Sequence, residues 1–235
     1  MIVFAHDYET TGVNAKTCGV VQAALCFAKL YDDGSYEILS QDVQLLHPGE
    51  PIPAGASNVH GIYDHHVEDA APYDVYLAEQ FQVVNDTAIE AVAGFNSKRY
   101  DDVIARRCGM AEFPSLDLYI AANRFKTLGI LEKANLSASY LGLTGREAQN
   151  AHDAFADIVM TLDLLAPSME KADCSSVAEF KQWVNSPWGH PQMVMPFGKH
   201  KGKKLCNLPK DYIAWALENM DSLTPDLRKG MEMVR

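Results

Sequence analysis

The chain opens on an apolar run, Ile2-Val3-Phe4-Ala5, which leads into His6-Asp7-Tyr8-Glu9-Thr10-Thr11-Gly12. Apolar and β-branched residues return over 19–31 and 35–46, separated by Asp32-Asp33-Gly34-Ser35. This pattern predicts strands over 1–7, 19–31 and 35–46, the last two joined by a hairpin-type turn. Residues 47–72, rich in Pro, Gly, His and Asp, read as a long loop with one helical turn. Then come a helix over 73–86, a strand over 88–95, a helix over 99–110 and a short strand ending near Asp117. Helices over 118–127 and 131–141 follow. From Ala151 the apolar positions Phe155, Ile158, Leu162 and Leu165 recur at helical spacing, with Pro167-Ser168 read as the end of that helix.

Strands first, then strands alternating with helices, predict an α/β domain with a mixed sheet. The expected division is a domain over 1–168, a connector over 169–192 holding one short helix, and a compact α+β module over 193–235.

The candidate chemistry begins at Asp7 and Glu9. Residues i and i+2 of a strand project from one face, so the two carboxylates stand together at the strand's end. Two like charges that close resist ionising together unless a cation holds them. Their hard oxygen ligands suit Mg²⁺ or Mn²⁺. A second acidic site lies in Gly94-Phe95-Asn96-Ser97-Lys98-Arg99-Tyr100-Asp101-Asp102, straight after a predicted strand. The third is His152-Asp153-Ala154-Phe155-Ala156-Asp157. Five residues are about 140° around an ideal helix, so His152 belongs at or before the helix start and Asp157 one turn in.

Composition narrows the class. An apolar fraction of 48% and a charged fraction of 22% are ordinary for a globular protein. No apolar stretch reaches the roughly 18 residues of a membrane helix, and no signal-peptide core opens the chain. The five cysteines form no CxxC pair, which fits a reduced, cytoplasmic setting and argues against a thiolate zinc site. The net charge of −11 argues against a simple electrostatic nucleic-acid binder, but it is unevenly distributed. Residues 1–165 hold 10 basic against 23 acidic side chains, and residues 190–235 hold 8 against 5. Bound cations would let the acidic part take phosphates, while the tail adds a basic footprint of its own.

The DxE pair, an acidic residue after a strand and loop, and HxxxxD occur in the order and at the separations of the DEDDh branch of the DnaQ-like 3′–5′ exonuclease superfamily. Residues 6–12, 94–102 and 151–157 with Thr161 resemble bacterial exonuclease I within it. Together the motifs span residues 1–166. The resemblance implies a ribonuclease H-like fold with a mixed five-stranded sheet flanked by helices. It also implies two divalent metals, Mg²⁺ or Mn²⁺, held by Asp7, Glu9, Asp101 and Asp157, with His152 as general base. Asp102 competes with Asp101 for the metal role, but the match favours Asp101 and leaves Asp102, like Asp153, as a solvated acid at a helix N-terminus.

Thr10, Thr11 and Gly12 are expected to line the pocket of a free 3′ end. Asn58-Val59-His60-Gly61-Ile62 resembles the family segment that packs against the terminal nucleotides, which makes His60, Gly61 and Ile62 candidate contacts; a plain loop turning at Gly61 is the competing reading. Asn96 and Tyr100 contact the strand or simply hold their loop. The segment 196–217, with Lys199, Lys201, Lys203 and Lys204 on a Gly-containing turn, resembles the small domain of exodeoxyribonuclease X-type proteins. The lysines read as a grip on the phosphate backbone, or as a solvated turn over an aromatic core that buries Trp215.

The expected activity is hydrolysis of DNA, single-stranded first, to 5′-mononucleotides. The same chemistry on RNA is the nearest alternative, and a non-catalytic nucleic-acid binder is the alternative of another class. The expected partner is nucleic acid, with no membrane; protein partners are not legible.

Overall fold

A computed structural model describes residues 1–148 and 153–235. Its centre is a five-stranded sheet in the order β3-β2-β1-β4-β5. The strands are β1 (Ile2–Thr10), β2 (Val20–Leu30), β3 (Tyr36–Leu45), β4 (Ala91–Gly94) and β5 (Ser115–Asp117). β1, β2 and β3 are antiparallel, while β4 and β5 run parallel to β1. The expected mixed α/β sheet is therefore present, with β1 at its centre.

β1 is longer than the apolar run predicted, because its pairing with β2 carries on through Asp7↔Ala24 and Glu9↔Gln22. The register then slips between Glu9 and Thr10. Such a bulge bends a strand and re-aims the side chains beside it.

Helices cover both faces. The segment 47–72 holds two short helices, α1 (Ala54–His60) and α2 (Asp64–Val67), where one turn was expected. α3 (Tyr73–Asp86) matches its predicted span, and α4 (Asp101–Arg107) is shorter than 99–110 because Ser97–Arg99 form a separate 3₁₀ turn. α5 (Leu118–Thr127) lies as predicted; α6 (Leu136–Thr144) begins later than 131, where Asn135 accepts the Ala138 N–H and sets the cap. α7 (Ala154–Asp163) is followed at once by α8 (Leu165–Ala172) and then α9 (Val177–Asn185).

Side-chain alternation on β1 separates two cores. Val3 and Ala5 join a cluster with Phe125 of α5, Ile158 of α7 and Phe180 of α9. Phe4 and Tyr8 join the opposite cluster with Leu77 and Phe81 of α3 and Ile104 of α4.

Two expectations about the end of this region are corrected. Pro167 does not end a helix: it sits in the first turn of α8, where its missing N–H is no loss. Residues 169–192 are also more than a connector. Val177, Phe180 and Val184 of α9 are at most 2% exposed and share the core of β1 and α5.

The C-terminal module has its own cluster, built on Met195, Leu205, Ile213 and Met231. Its helices are α10 (Lys210–Asn219) and α11 (Pro225–Glu232). Its extended pairing among the described residues is a single bridge, Val194↔Lys204, closed by Met195 N–H to the Lys203 carbonyl at 2.9 Å. Trp215 is 52% exposed on α10, so the reading that buried it is corrected: Ile213 and Ala216 fill that core instead. No helix among the described residues is long and apolar enough to cross a membrane.

Candidate active site

The carboxylates meet where β1 ends. Asp7 and Glu9 project from the β1 face that packs on α7, which carries Asp157 in its first turn. Single carboxylate oxygens of Asp7, Glu9 and Asp157 all lie within 4.8 Å of one another. The start of α7 is placed by local chemistry. Asp153 is its N-cap, accepting the Ala156 N–H at 3.0 Å, and the Ala154 N–H reaches Gln22 Oε1 at 3.2 Å. Gln22 is the cross-strand partner of Glu9, so one β2 residue ties α7 to the acidic strand. Asp153, read from sequence as an acid at a helix N-terminus, is thus the N-cap of α7. His152, the expected base, lies outside the described residues.

Asp101 enters from α4 and is 6% exposed. Burial, then the Asp102 and Asp117 carboxylates, push its carboxyl well above the usual range, while its own N–H and that of Tyr8 oppose the shift. Burial, then Asp101, Asp157 and Glu9, raise Asp7 likewise. Glu9 is pushed up to about 8 by burial and by Asp157 and Asp153. Asp7, Glu9 and Asp101 make no salt bridge to Lys, Arg or His among the described residues. The donor set is therefore hard, crowded and short of positive charge, which is what a pocket for divalent cations requires.

Asp102 differs from its reading as a solvated acid. It is 5% exposed, and its Oδ1 lies 3.2 Å from Nε2 of buried His6. Burial works against its ionisation, but His6, Arg106 and Ser97 outweigh it and hold the carboxyl below the usual range. His6 Nδ1 meets the Tyr8 hydroxyl at 2.9 Å, and Phe4 stacks on the ring. His6 and Asp102 were missed as a pair. The available signal was a polar residue on the apolar face of a buried strand, which demands a partner.

The loop before α4 is held by Asp117, also unassigned from sequence. It accepts the Asn96 N–H at 2.8 Å and the Tyr119 N–H at 3.0 Å, so the end of β5 caps α5 and fixes Asn96 together. Asn96 stands at φ 65°, a left-handed conformation that Asn tolerates. Gly94 precedes it because a Cβ there would collide with Ser97.

Thr10 and Tyr100 meet across the site. Their hydroxyls are 2.6 Å apart, and the Tyr100 hydroxyl also donates to the Gly12 carbonyl. Thr11 is occupied elsewhere: its hydroxyl donates to Glu50 at 2.5 Å and accepts the Gly19 N–H at 2.9 Å. His60 ends α1, its Nδ1 accepting the Ile62 N–H at 3.0 Å, and Gly61 takes φ 72° as the cap. Ile62 is buried in a small cluster with Val21, Ile52 and Val67. Lys199, Lys201, Lys203 and Lys204 are all exposed on the module, with the Lys199 ammonium 5.4 Å above the Tyr212 ring.

Comparison with known proteins fits this geometry. Residues 191–222 match the family described as "Putative quorum-sensing-regulated virulence factor". Over 85 residues the chain is 31% identical to a PolC-type DNA polymerase III of Streptococcus pneumoniae, covering 36% of this chain and 6% of the polymerase. Its fold is similar to that of Escherichia coli exonuclease I in a zinc-bound complex with single-stranded DNA, with a TM-score of 0.62 at 19% identity over 73% of this chain and 41% of that one. Against the same enzyme in complex with a dT13 oligonucleotide the TM-score is 0.65 at 17% identity, over 94% of this chain and 60% of that one. The chain thus spans less than two thirds of the length of either relative, and what it shares with exonuclease I is the ribonuclease H-like sheet and its helices. The family model described as "Exonuclease" covers residues 4–165, from Phe4 within β1 past the last of the clustered carboxylates, and on that match the chain belongs to the exonuclease family.

Proposed function

We propose that the chain is a metal-dependent 3′–5′ exonuclease that removes 5′-mononucleotides from the 3′ end of DNA, preferentially single-stranded, in a reduced cytoplasmic setting. The observation that carries this reading is the convergence of Asp7, Glu9 and Asp157 within 4.8 Å, beside buried Asp101, inside the exonuclease match. These four residues would hold two divalent ions, Mg²⁺ or Mn²⁺. When bound, the ions supply charge neutralisation at the scissile phosphate and at the attacking and leaving oxygens.

The remaining roles belong to the chain's own groups. His152 takes the proton of the attacking water at a ring nitrogen, as an imidazole titrating near neutrality is suited to do. Thr10 and Gly12, clasped by Tyr100, bound the pocket for the 3′ end, and Thr11 contributes through its backbone. His60, Gly61 and Asn96 flank the terminal nucleotides, with Ile62 supporting its segment from below. Lys199, Lys201, Lys203 and Lys204 draw in the phosphate backbone.

The test is Mg²⁺-dependent digestion of matched 3′-labelled and 5′-labelled single strands, DNA and RNA side by side, with Asp7→Ala as control. Immediate mononucleotide release from 3′-labelled DNA and a shortening ladder from the 5′ label are expected, and both disappear in EDTA and in Asp7→Ala. A ladder from RNA alone would reassign the sugar. Failure to cleave either polymer would overturn the reading.

A further inference from the structure

A cleft runs between α5 and the C-terminal module. Its first part is a cavity of about 600 Å³ whose walls include Asn96, Lys98 and Arg99, the loop leading into Asp101. α5 contributes Asn123 and Arg124, and the opposite side carries Trp188 and Asp226. A second cavity of about 640 Å³ shares Asn123, Thr127 and Met193 with the first and adds Lys126 of α5 and Lys204 of the module. The two form one groove that begins beside the catalytic loop and ends at the basic turn.

The charge along this groove is unbalanced in a particular way. Its two carboxylates are already engaged: Asp117 with the N–H groups of Asn96 and Tyr119, and Asp226 with the Trp188 N–H at 2.9 Å. Its exposed cations are not. Lys98, Arg99, Lys126 and Lys204 are exposed, and none lies within salt-bridge distance of a carboxylate among the described residues. At the floor, Arg124 is 4% exposed and donates to the carbonyls of Trp183, Val184 and Ser186, yet its Nε has no hydrogen-bond partner among the described residues. In a chain of net charge −11, unpaired cations lining one groove are not explained by composition.

We propose that this groove binds the single strand that feeds the carboxylates, with Lys98, Arg99, Lys126 and Lys204 pairing its phosphates in turn. The proposal rests on the exonuclease reading and deepens it, by giving the module one wall of the substrate path. A groove of spaced lysines that tracks a backbone suits single-stranded nucleic acid of any sequence.

The test uses the full chain in EDTA, so that binding is read without hydrolysis, with a fluorescein-labelled oligothymidylate followed by anisotropy across a salt series. Each phosphate contact adds about 0.7 to the salt slope of a single strand, so Lys126→Glu/Lys204→Glu should lower the slope by roughly 1.4 and weaken binding ~10-fold. A control of equal charge change, Lys29→Glu/Lys171→Glu, lies away from the groove and should bind as the parent does. Equal losses in both double variants, or no loss in the first, overturn the groove. If the parent digests DNA with Mg²⁺ while the groove variant binds undiminished, only the groove fails. If the parent neither digests nor binds the strand, groove and exonuclease reading fall together.

Discussion

His6 Nε2 and Asp102 Oδ1 lie 3.2 Å apart, joining β1 to α4 one residue away from Asp7 on one side and Asp101 on the other. Both groups are buried, so removing one leaves the other without its polar partner at a cost of about 1–3 kcal/mol. His6→Ala and Asp102→Ala should each lower unfolding free energy by that amount and weaken Mn²⁺ binding, because the strand and helix that carry the proposed ligands Asp7, Glu9 and Asp101 lose their link. The double variant should show coupling rather than additivity. Urea unfolding and calorimetric Mn²⁺ titration check this, and additive losses with unchanged Mn²⁺ affinity would reject it. Asp102 is depressed in the folded state, so its contribution is present above the unfolded carboxylate pKa of about 3.9 and disappears as pH falls through the folded value.

The crowded carboxylates carry the opposite sign. Glu9 is pushed up to about 8 and Asp7 is raised as well, so the metal-free folded protein binds more protons than the unfolded chain. Stability of the metal-free protein should therefore fall as pH rises from the unfolded glutamate pKa of about 4.3 through about 8. Mn²⁺ should raise the melting temperature more at the alkaline end of that window, where protons no longer compete for the oxygens. Glu9→Gln should flatten the pH dependence, and Asp7→Asn should abolish the Mn²⁺ effect. Thermal melts in EDTA and in Mn²⁺ across this window decide it.

Tyr100 clasps the segment 10–12 at two points through one oxygen, at the Thr10 hydroxyl and at the Gly12 carbonyl. Tyr100→Phe keeps the ring and removes the clasp. Stability should drop by only ~1 kcal/mol, the net worth of a hydrogen bond. Release of the terminal nucleotide should slow ~10-fold, since a small misplacement of a binding wall costs rate out of proportion to stability. Steady-state kinetics beside a denaturation curve separate the two, and equal losses in both would reduce Tyr100 to a structural residue.

Phe180 is fully buried on α9, stacked on Trp183 with ring centroids 5.8 Å apart. As part of the nuclease core, Phe180→Ala should cost about 3–5 kcal/mol. In a mere connector the cost would stay within about 0.5 kcal/mol, as at surface sites. A denaturation midpoint that hardly moves would return residues 177–185 to the role of linker.

Much of this protein was legible along the chain because the relevant physics is local. Alternation put Asp7 and Glu9 on one face of a strand, five-residue spacing put Asp157 one turn into a helix, and Asp153 read as a terminal acid before it was seen as a cap. These relationships depend on backbone geometry within a few residues, and they survive any packing. The order of the strands does not. Only the arrangement β3-β2-β1-β4-β5 brings α7 over β1 and so carries Asp157 to Asp7, and only the opposite face of the same strand brings His6 to Asp102. α9 shows the same division. A short helix was legible in that stretch, but which surface it covers is a competition among all the apolar faces of the chain, and the exposed side of β5 and α5 won it. Trp215 was ambiguous for the same reason: an aromatic residue on a short helix is core or surface according to which neighbours fill the space first, and here Ile213, Ala216 and Met231 did.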